Sequence, residues 1–176
     1  MEKLPGDYIA GFIDGEGCFS LHLRRDVRHE RKNSPIYFLW KIKFSIVLRE
    51  DDIDILKRIQ YTLECGGVSV AKRGFAQYQV ADVKDLKDKI VPFFEKNNLQ
   101  AKKRLDFDLW KEAVAIIFNT KRKEVNTKPG TRGFFKTIWK KEDLDKLSEI
   151  QNKLINLRKI SKPHKWTGRE LGRKLS

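Results

Sequence analysis

The sequence predicts an α+β fold: four strands in two hairpins, with helices layered on one side of the sheet. Two alternating stretches, at residues 18–25 and 37–48, and two shorter ones at 68–73 and 76–81 give the strands. Helical spacing between and after them gives the remaining elements. The element order, αββαββα with further helices behind it, is the third observation. Hydrophobic residues make up 40% of the 176-residue chain, enough for one compact core.

The first helix is expected over 5–17, preceded by Pro5 and Gly6 and capped by Asp7. In 18–25, Phe19, Leu21 and Leu23 lie on one side and Ser20, His22 and Arg24 on the other. A charged loop of about 26–35 follows, ending at Pro35. In 37–48, Phe38, Trp40, Ile42, Phe44, Ile46 and Leu48 alternate with Lys41, Lys43 and Ser45. Residues 51–64 carry Ile53, Leu56, Ile59 and Leu63 at helical spacing, behind an acidic start, and end at Gly66-Gly67. The short strands turn at Gly74. Helices are expected over 84–97 and 102–118, a basic loop over about 119–137, and a last helix over about 141–158. A basic tail containing Trp166 closes the chain, so one domain is expected, with a core of about 5–120 and a basic extension of about 121–176.

Charge narrows the function. Lys+Arg number 38 against 24 Asp+Glu, a net +14, and residues 119–176 supply +11 of it with 17 Lys/Arg against 6 Asp/Glu. Such a balance favours polyanionic partners, above all nucleic acid, and disfavours a purely structural role. A second basic stretch comprises Arg24, Arg25, Arg28, Arg31 and Lys32. The outward face of the sheet would present His22, Arg24, Lys41, Lys43, Ser45, Arg73, Gln77 and Gln79: five cationic or imidazole side chains, three neutral hydrogen-bonders and no acid. Cys18 and Cys65 are too few for a disulfide scaffold and are expected as buried, reduced thiols. With no signal-peptide core and no apolar stretch of membrane-spanning length, a soluble intracellular protein is expected, in the cytoplasm or nucleoid, or in an organelle if encoded there.

One segment carries the chemistry. In Ile9-Ala10-Gly11-Phe12-Ile13-Asp14-Gly15-Glu16-Gly17, the small residues Ala10, Gly11 and Gly15 recur, and Gly11 and Gly15 share a helix face. Glycine costs about 1 kcal/mol in a helix interior relative to alanine, so two of them ask for a close-packing reason. Asp14 and Glu16 stand at the negative end of the helix dipole, which asks for a nearby cation, either a metal or a Lys/Arg. Read from the residues alone, a surface helix with two solvated acids remains equally open.

This nonapeptide resembles the signature of the LAGLIDADG homing endonucleases, with Ala10, Gly11, Ile13, Asp14 and Gly17 matching outright and Glu16 matching in acidic class. The resemblance extends over roughly 5–120, including Phe44-Ser45-Ile46, Leu56-Lys57-Arg58-Ile59 and Leu99-Gln100-Ala101-Lys102-Lys103. It implies the αββαββα homing-endonuclease fold with its antiparallel DNA-binding sheet. It also implies a homodimer whose motif helices meet at Ala10, Gly11 and Gly15, because no second motif occurs in the chain. Glu16 would bind Mg²⁺ or another divalent cation, with the Gly15 carbonyl as a second ligand. Asp14 would orient its neighbours within the catalytic group, and Lys102 would stand near the scissile phosphate, with Lys103 the alternative.

The implied activity is a double-strand break at a long, near-palindromic DNA site, leaving short 3′ overhangs, with Arg25 and Arg28 joining the sheet in DNA binding. The chain departs from the family's pattern at Leu48, where a Gln is common, with Arg49 a possible substitute, and at Glu16, where Asp is commoner. An RNA maturase, or a non-catalytic DNA-binding protein, on the same fold is the alternative.

Overall fold

Alternation of apolar and polar residues produces the sheet that organises the molecule. The computed structural model describes residues 1–27, 29, 33, 36–71, 74–120, 122–125 and 134–158, with backbone alone at 122–125 and 134–136. Helix α1 (Gly6–Glu16) leads directly into β1 (Gly17–Val27), which pairs antiparallel with β2 (Ile36–Arg49). A short 3₁₀ turn at Glu50–Asp52 precedes α2 (Ile53–Leu63), and then β3 (Gly67–Ala71) and β4 (Phe75–Val80) form the second hairpin. The sheet order is β1-β2-β4-β3, antiparallel throughout, so the two hairpins join through β2 and β4.

α3 (Val83–Asp85), one π-helical turn (Leu86–Ile90) and α4 (Val91–Lys96) follow one another without a break. Pro92 lacks the N–H that an α-helical ladder needs, and the wide turn just before it accommodates that loss. α5 (Lys103–Asn119) crosses behind β1, and α6 (Lys141–Leu157) packs on α5. The stretch expected as a basic loop contains a separate antiparallel pair, β5 (Arg122–Val125) with β6 (Phe134–Thr137). Its Gly and Pro content masked that pairing in the sequence. Trp166 lies outside the described residues.

The expected inner face is the core. Phe19 stands at its centre, its ring 5.2 Å from Phe44, 5.6 Å from Phe94, 5.3 Å from Phe107 and 5.1 Å from Trp110. Trp110 is fully buried, and its indole N–H donates to the Ser20 carbonyl at 3.3 Å. Tyr78 donates its hydroxyl to the Cys65 carbonyl at 2.9 Å, and burial pushes both the Tyr78 hydroxyl and the Cys65 thiol up in pKa. Cys65 is therefore the buried thiol expected, whereas Cys18 falls on the outer face of β1 and is exposed. Gln151 on α6 is buried, and neither amide atom has a partner among the described residues. Arg158, just past α6, donates to Asp106 at 2.9 Å and to the Phe19 carbonyl, tying the C-terminal helix to α5 and β1. Among the described residues, no helix is long and apolar enough to cross a membrane.

Candidate functional site: the end of the first helix and the outer face of the sheet

Helix α1 buries one side and opens the other. Ile9, Ala10 and Ile13 face the core, while Gly11 and Gly15 are exposed and a Cβ at either would meet nothing within 4 Å. This separates residues that the sequence grouped together: Ala10, 5% exposed, belongs to the chain's own core, and Gly11 and Gly15 alone form the open stripe. A 100° step per residue turns Ala10 away from Gly11. Asp7 does not cap the helix; Pro5 stands at the N-cap, and Asp7 lies in the first turn, where its charge suits the dipole. Gly17 is needed for close approach: a Cβ there would come within 2.4 Å of the Ile13 side chain, so the helix could not pass straight into β1.

A lysine ammonium stands at the acidic helix end, on its carbonyls rather than on its carboxylates. Lys103, the first residue of α5, places its ammonium 3.2 Å from the Gly15 carbonyl and 2.5 Å from the Gly17 carbonyl. A positive charge on carbonyls at a helix C-terminus offsets the dipole directly. Asp14 accepts from the Gln100 backbone N–H at 2.7 Å, fixing the loop that delivers Lys103, and its other carboxylate oxygen is buried without a partner among the described residues. Lys102 is exposed at the N-cap of α5, its side chain without a partner among the described residues, and it is the alternative, Lys103, that lies beside the motif. The separation of 86 residues between the bonded groups explains why helical spacing could not fix this register.

Glu16 is exposed at the last position of α1, and its carboxylate has no partner among the described residues. No cluster of three or more His, Cys, Asp or Glu side chains suited to a metal occurs among those residues. The donors at the site are the Glu16 carboxylate and the Gly15 carbonyl, which already accepts from Lys103. Such a set fits Mg²⁺, which keeps several waters and takes one or two carboxylates together with substrate phosphate oxygens, and it does not fit an all-protein cage.

The outer face of the sheet starts from this helix end. Register places Cys18 beside Ser45, Ser20 beside Lys43, His22 beside Lys41 and Arg24 beside Leu39. Across the other seam, Ser45 faces Gln79, Val47 faces Gln77 and Arg49 faces Phe75. His22, Arg24, Lys41, Lys43, Gln77 and Gln79 are therefore on the surface predicted for them. Ser45 is on that face but only 4% exposed, shut in by its neighbours, and is corrected from reader to floor. Alternation turns Arg25 to the side of Leu23, opposite Arg24, so it does not join the face. Arg28 and Arg73 lie outside the described residues. β1 also runs beyond its predicted end and adds an acid, Asp26, 3.7 Å from Arg24. Four exposed apolar side chains, Tyr37, Leu39, Val47 and Phe75, occupy the same face and were missed, because the sequence reading equated outward with polar. Leu48 is half-buried against the core and offers no hydrogen-bonding group, while Arg49 pairs with Asp51 at 2.8 Å.

A basic antiparallel sheet, backed by helices and headed by a glycine-striped acidic helix end, is the arrangement these elements build. The family model described as LAGLIDADG endonuclease matches residues 9–114, and the chain belongs to that family. It is 31% identical over 101 residues to the probable intron-encoded DNA endonuclease 1 of Mycosarcoma maydis, covering 57% of this chain and 34% of the relative. It is also 31% identical over 119 residues to an uncharacterized 50.9 kDa protein in ND4 intron 1 of Podospora anserina, covering 68% and 26%. The chain thus spans about a third or less of these relatives.

Among solved structures, the LAGLIDADG meganuclease I-CpaMI bound to uncleaved DNA superposes with a TM-score of 0.58 at 27% identity, covering 66% of this chain and 38% of that one. I-SmaMI bound to an uncleaved DNA target in the presence of calcium ions gives 0.66 at 19%, covering 88% and 46%. The homing endonuclease I-TnaI gives 0.60 at 22%, covering 99% and 97%. The last two likenesses concern the fold.

Proposed function

We propose that the chain is a site-specific DNA endonuclease that hydrolyses phosphodiesters with a divalent cation and cuts both strands as a homodimer. The observation that carries this reading is Glu16: an exposed carboxylate, without a partner among the described residues, at the point where the motif helix enters a basic sheet. The relatives named as endonucleases and the DNA-bound neighbours support the substrate class.

Phosphodiester hydrolysis needs an attacking water, neutralisation of the charge that builds on phosphorus, and stabilisation of the departing oxygen. Mg²⁺ or another divalent cation supplies Lewis acidity at the phosphate when bound. Glu16 would hold it, with the Gly15 carbonyl as a second ligand. Lys103 keeps the Gly17 carbonyl and sets a positive charge beside the reacting phosphate. Asp14 fixes the Gln100 loop and so positions Lys103. His22, Arg24, Lys41, Lys43, Gln77 and Gln79 seat the duplex against the sheet.

One chain brings one motif acid, and cutting two strands takes two. Gly11 and Gly15 form an open stripe on which a second α1 can pack. I-SmaMI, in which this fold covers 46% of the chain, is long enough for two such units.

Two substitutions test the reading. Glu16→Gln is expected to bind its site and to cut at least about 10³-fold more slowly; normal cutting removes the catalytic assignment. Gly15→Leu meets open space within the chain and improves helix propensity, so it should fold. It is expected to run as a monomer by native mass, and a wild-type protein that is itself a monomer while cutting both strands ends the homodimer proposal.

A further inference from the structure

The centre of the outer face carries two reading units whose donor and acceptor patterns differ. Lys43 donates its ammonium to the Gln79 amide oxygen at 3.2 Å. An ammonium has no lone pair, so the amide atom facing it must be the oxygen, and what remains of the pair is mostly donors: the other ammonium N–H groups and the amide NH₂, against one spare oxygen lone pair. The Gln77 amide, one step along the same strand face, has no side-chain partner among the described residues and keeps both its donor and its acceptor. Directly across the strand seam from Gln77 stands Val47, 49% exposed, in the middle of a basic face.

The geometry points to Val47 and Gln77 as a single specificity unit that selects an A·T base pair in the major groove. An amide with both functions free pairs bidentately with adenine N7 and N6. Next along the same pair edge come thymine O4 and the thymine C5-methyl, the one apolar group the major groove offers. Registered residues on neighbouring strands hold their Cβ atoms about 5 Å apart, a spacing that spans from the adenine edge to the methyl of one pair. A phosphate could satisfy Gln77 but gives Val47 nothing.

The donor-rich Lys43–Gln79 pair complements guanine O6 and N7 instead. It lies two residues from Gln77, or roughly 7 Å, about two base-pair steps along the groove. Ser45, buried between Cys18 and Gln79, forms the floor of that second unit. This inference rests on the DNA-binding reading above.

Selection of the wild-type chain from a randomised duplex library, with Ca²⁺ replacing Mg²⁺ to hold off cutting, tests it. The enriched half-site should contain one A·T position that Gln77→Ala flattens while its other positions persist, with discrimination for adenine falling roughly 5- to 100-fold. Gln77→Arg should convert that position to guanine. Without any substitution in the protein, replacing the thymine of that pair by deoxyuridine should weaken wild-type binding about fourfold, the value of one buried methyl. Val47→Ala should erase the difference between thymine and uracil. An unchanged motif in Gln77→Ala, or indifference of the wild type to uracil, overturns the assignment. A library that yields no motif at all overturns the DNA-binding reading itself, and this inference with it.

Discussion

The two faces of the four-stranded sheet are built from the same strands with opposite consequences. The inner face places Phe19, Phe44, Tyr78 and, from α5, Trp110 in mutual contact with no water-facing surface. The outer face spreads cations, amides and four apolar side chains over an open surface in which Arg24 is 59% exposed. The first invests its residues in stability, and the second holds its residues available. Substitutions on the inner face should therefore lower stability, whereas those on the outer face should change DNA binding at nearly constant stability.

The largest effect should come from the inner face. Trp110→Ala removes a fully buried indole that packs on Phe19 and Phe107 and leaves the Ser20 carbonyl without its donor. A loss of about 3–5 kcal/mol is expected, read as a drop in the denaturant midpoint. Retention of wild-type stability would mean that α5 does not hold the sheet as described.

Lys103 tests the seam between the faces. Lys103→Met removes the donor to the Gly15 and Gly17 carbonyls, and a destabilisation of about 1–2 kcal/mol is expected, because two helix-end carbonyls lose their charged partner. Cutting should fall at least about tenfold further than stability accounts for, on the scale of general electrostatic contributions at such sites. Lys102→Met, at an exposed side chain, should stay within about 0.5 kcal/mol of wild type. A reversed ranking of the two lysines in a cleavage assay would restore Lys102 to the site.

These residues also show what the sequence made legible. Period-two alternation located β1, β2 and both faces, because side-chain direction in a strand depends on local geometry alone. The motif helix was legible because two glycines and two acids contradict helix propensity and the dipole within nine residues. What stayed hidden depends on distant partners. Lys102 could not be told from Lys103, because the choice rests on an Asp14–Gln100 contact 86 residues apart. Ser45 has the right parity, but it is shut in between Cys18 of β1 and Gln79 of β4. Ala10 was grouped with Gly11 by size, although helical rotation sends them to opposite sides. Val47 and Phe75 were invisible as outer-face residues, since composition identifies apolar residues with cores.

The smallest effect on stability, and the sharpest test of the comparison, belongs to Arg24. Its ion pair with Asp26 is 3.7 Å long and its own side chain is 59% exposed, so its loss should change stability by no more than about 0.5 kcal/mol. On DNA the same side chain has two distinguishable roles. As a phosphate contact, Arg24→Ala should weaken binding evenly across sequences and lower the salt-dependence slope by about 1. As a base contact, it should cost about 1–3 kcal/mol at one position of the half-site and leave the slope nearly unchanged. The neighbour across the seam, Leu39, is apolar and cannot take a phosphate, so the row favours the base contact. Titrating salt against binding for the variant decides between the two, and a variant that matches wild type in both slope and site preference would remove Arg24 from the reading face altogether.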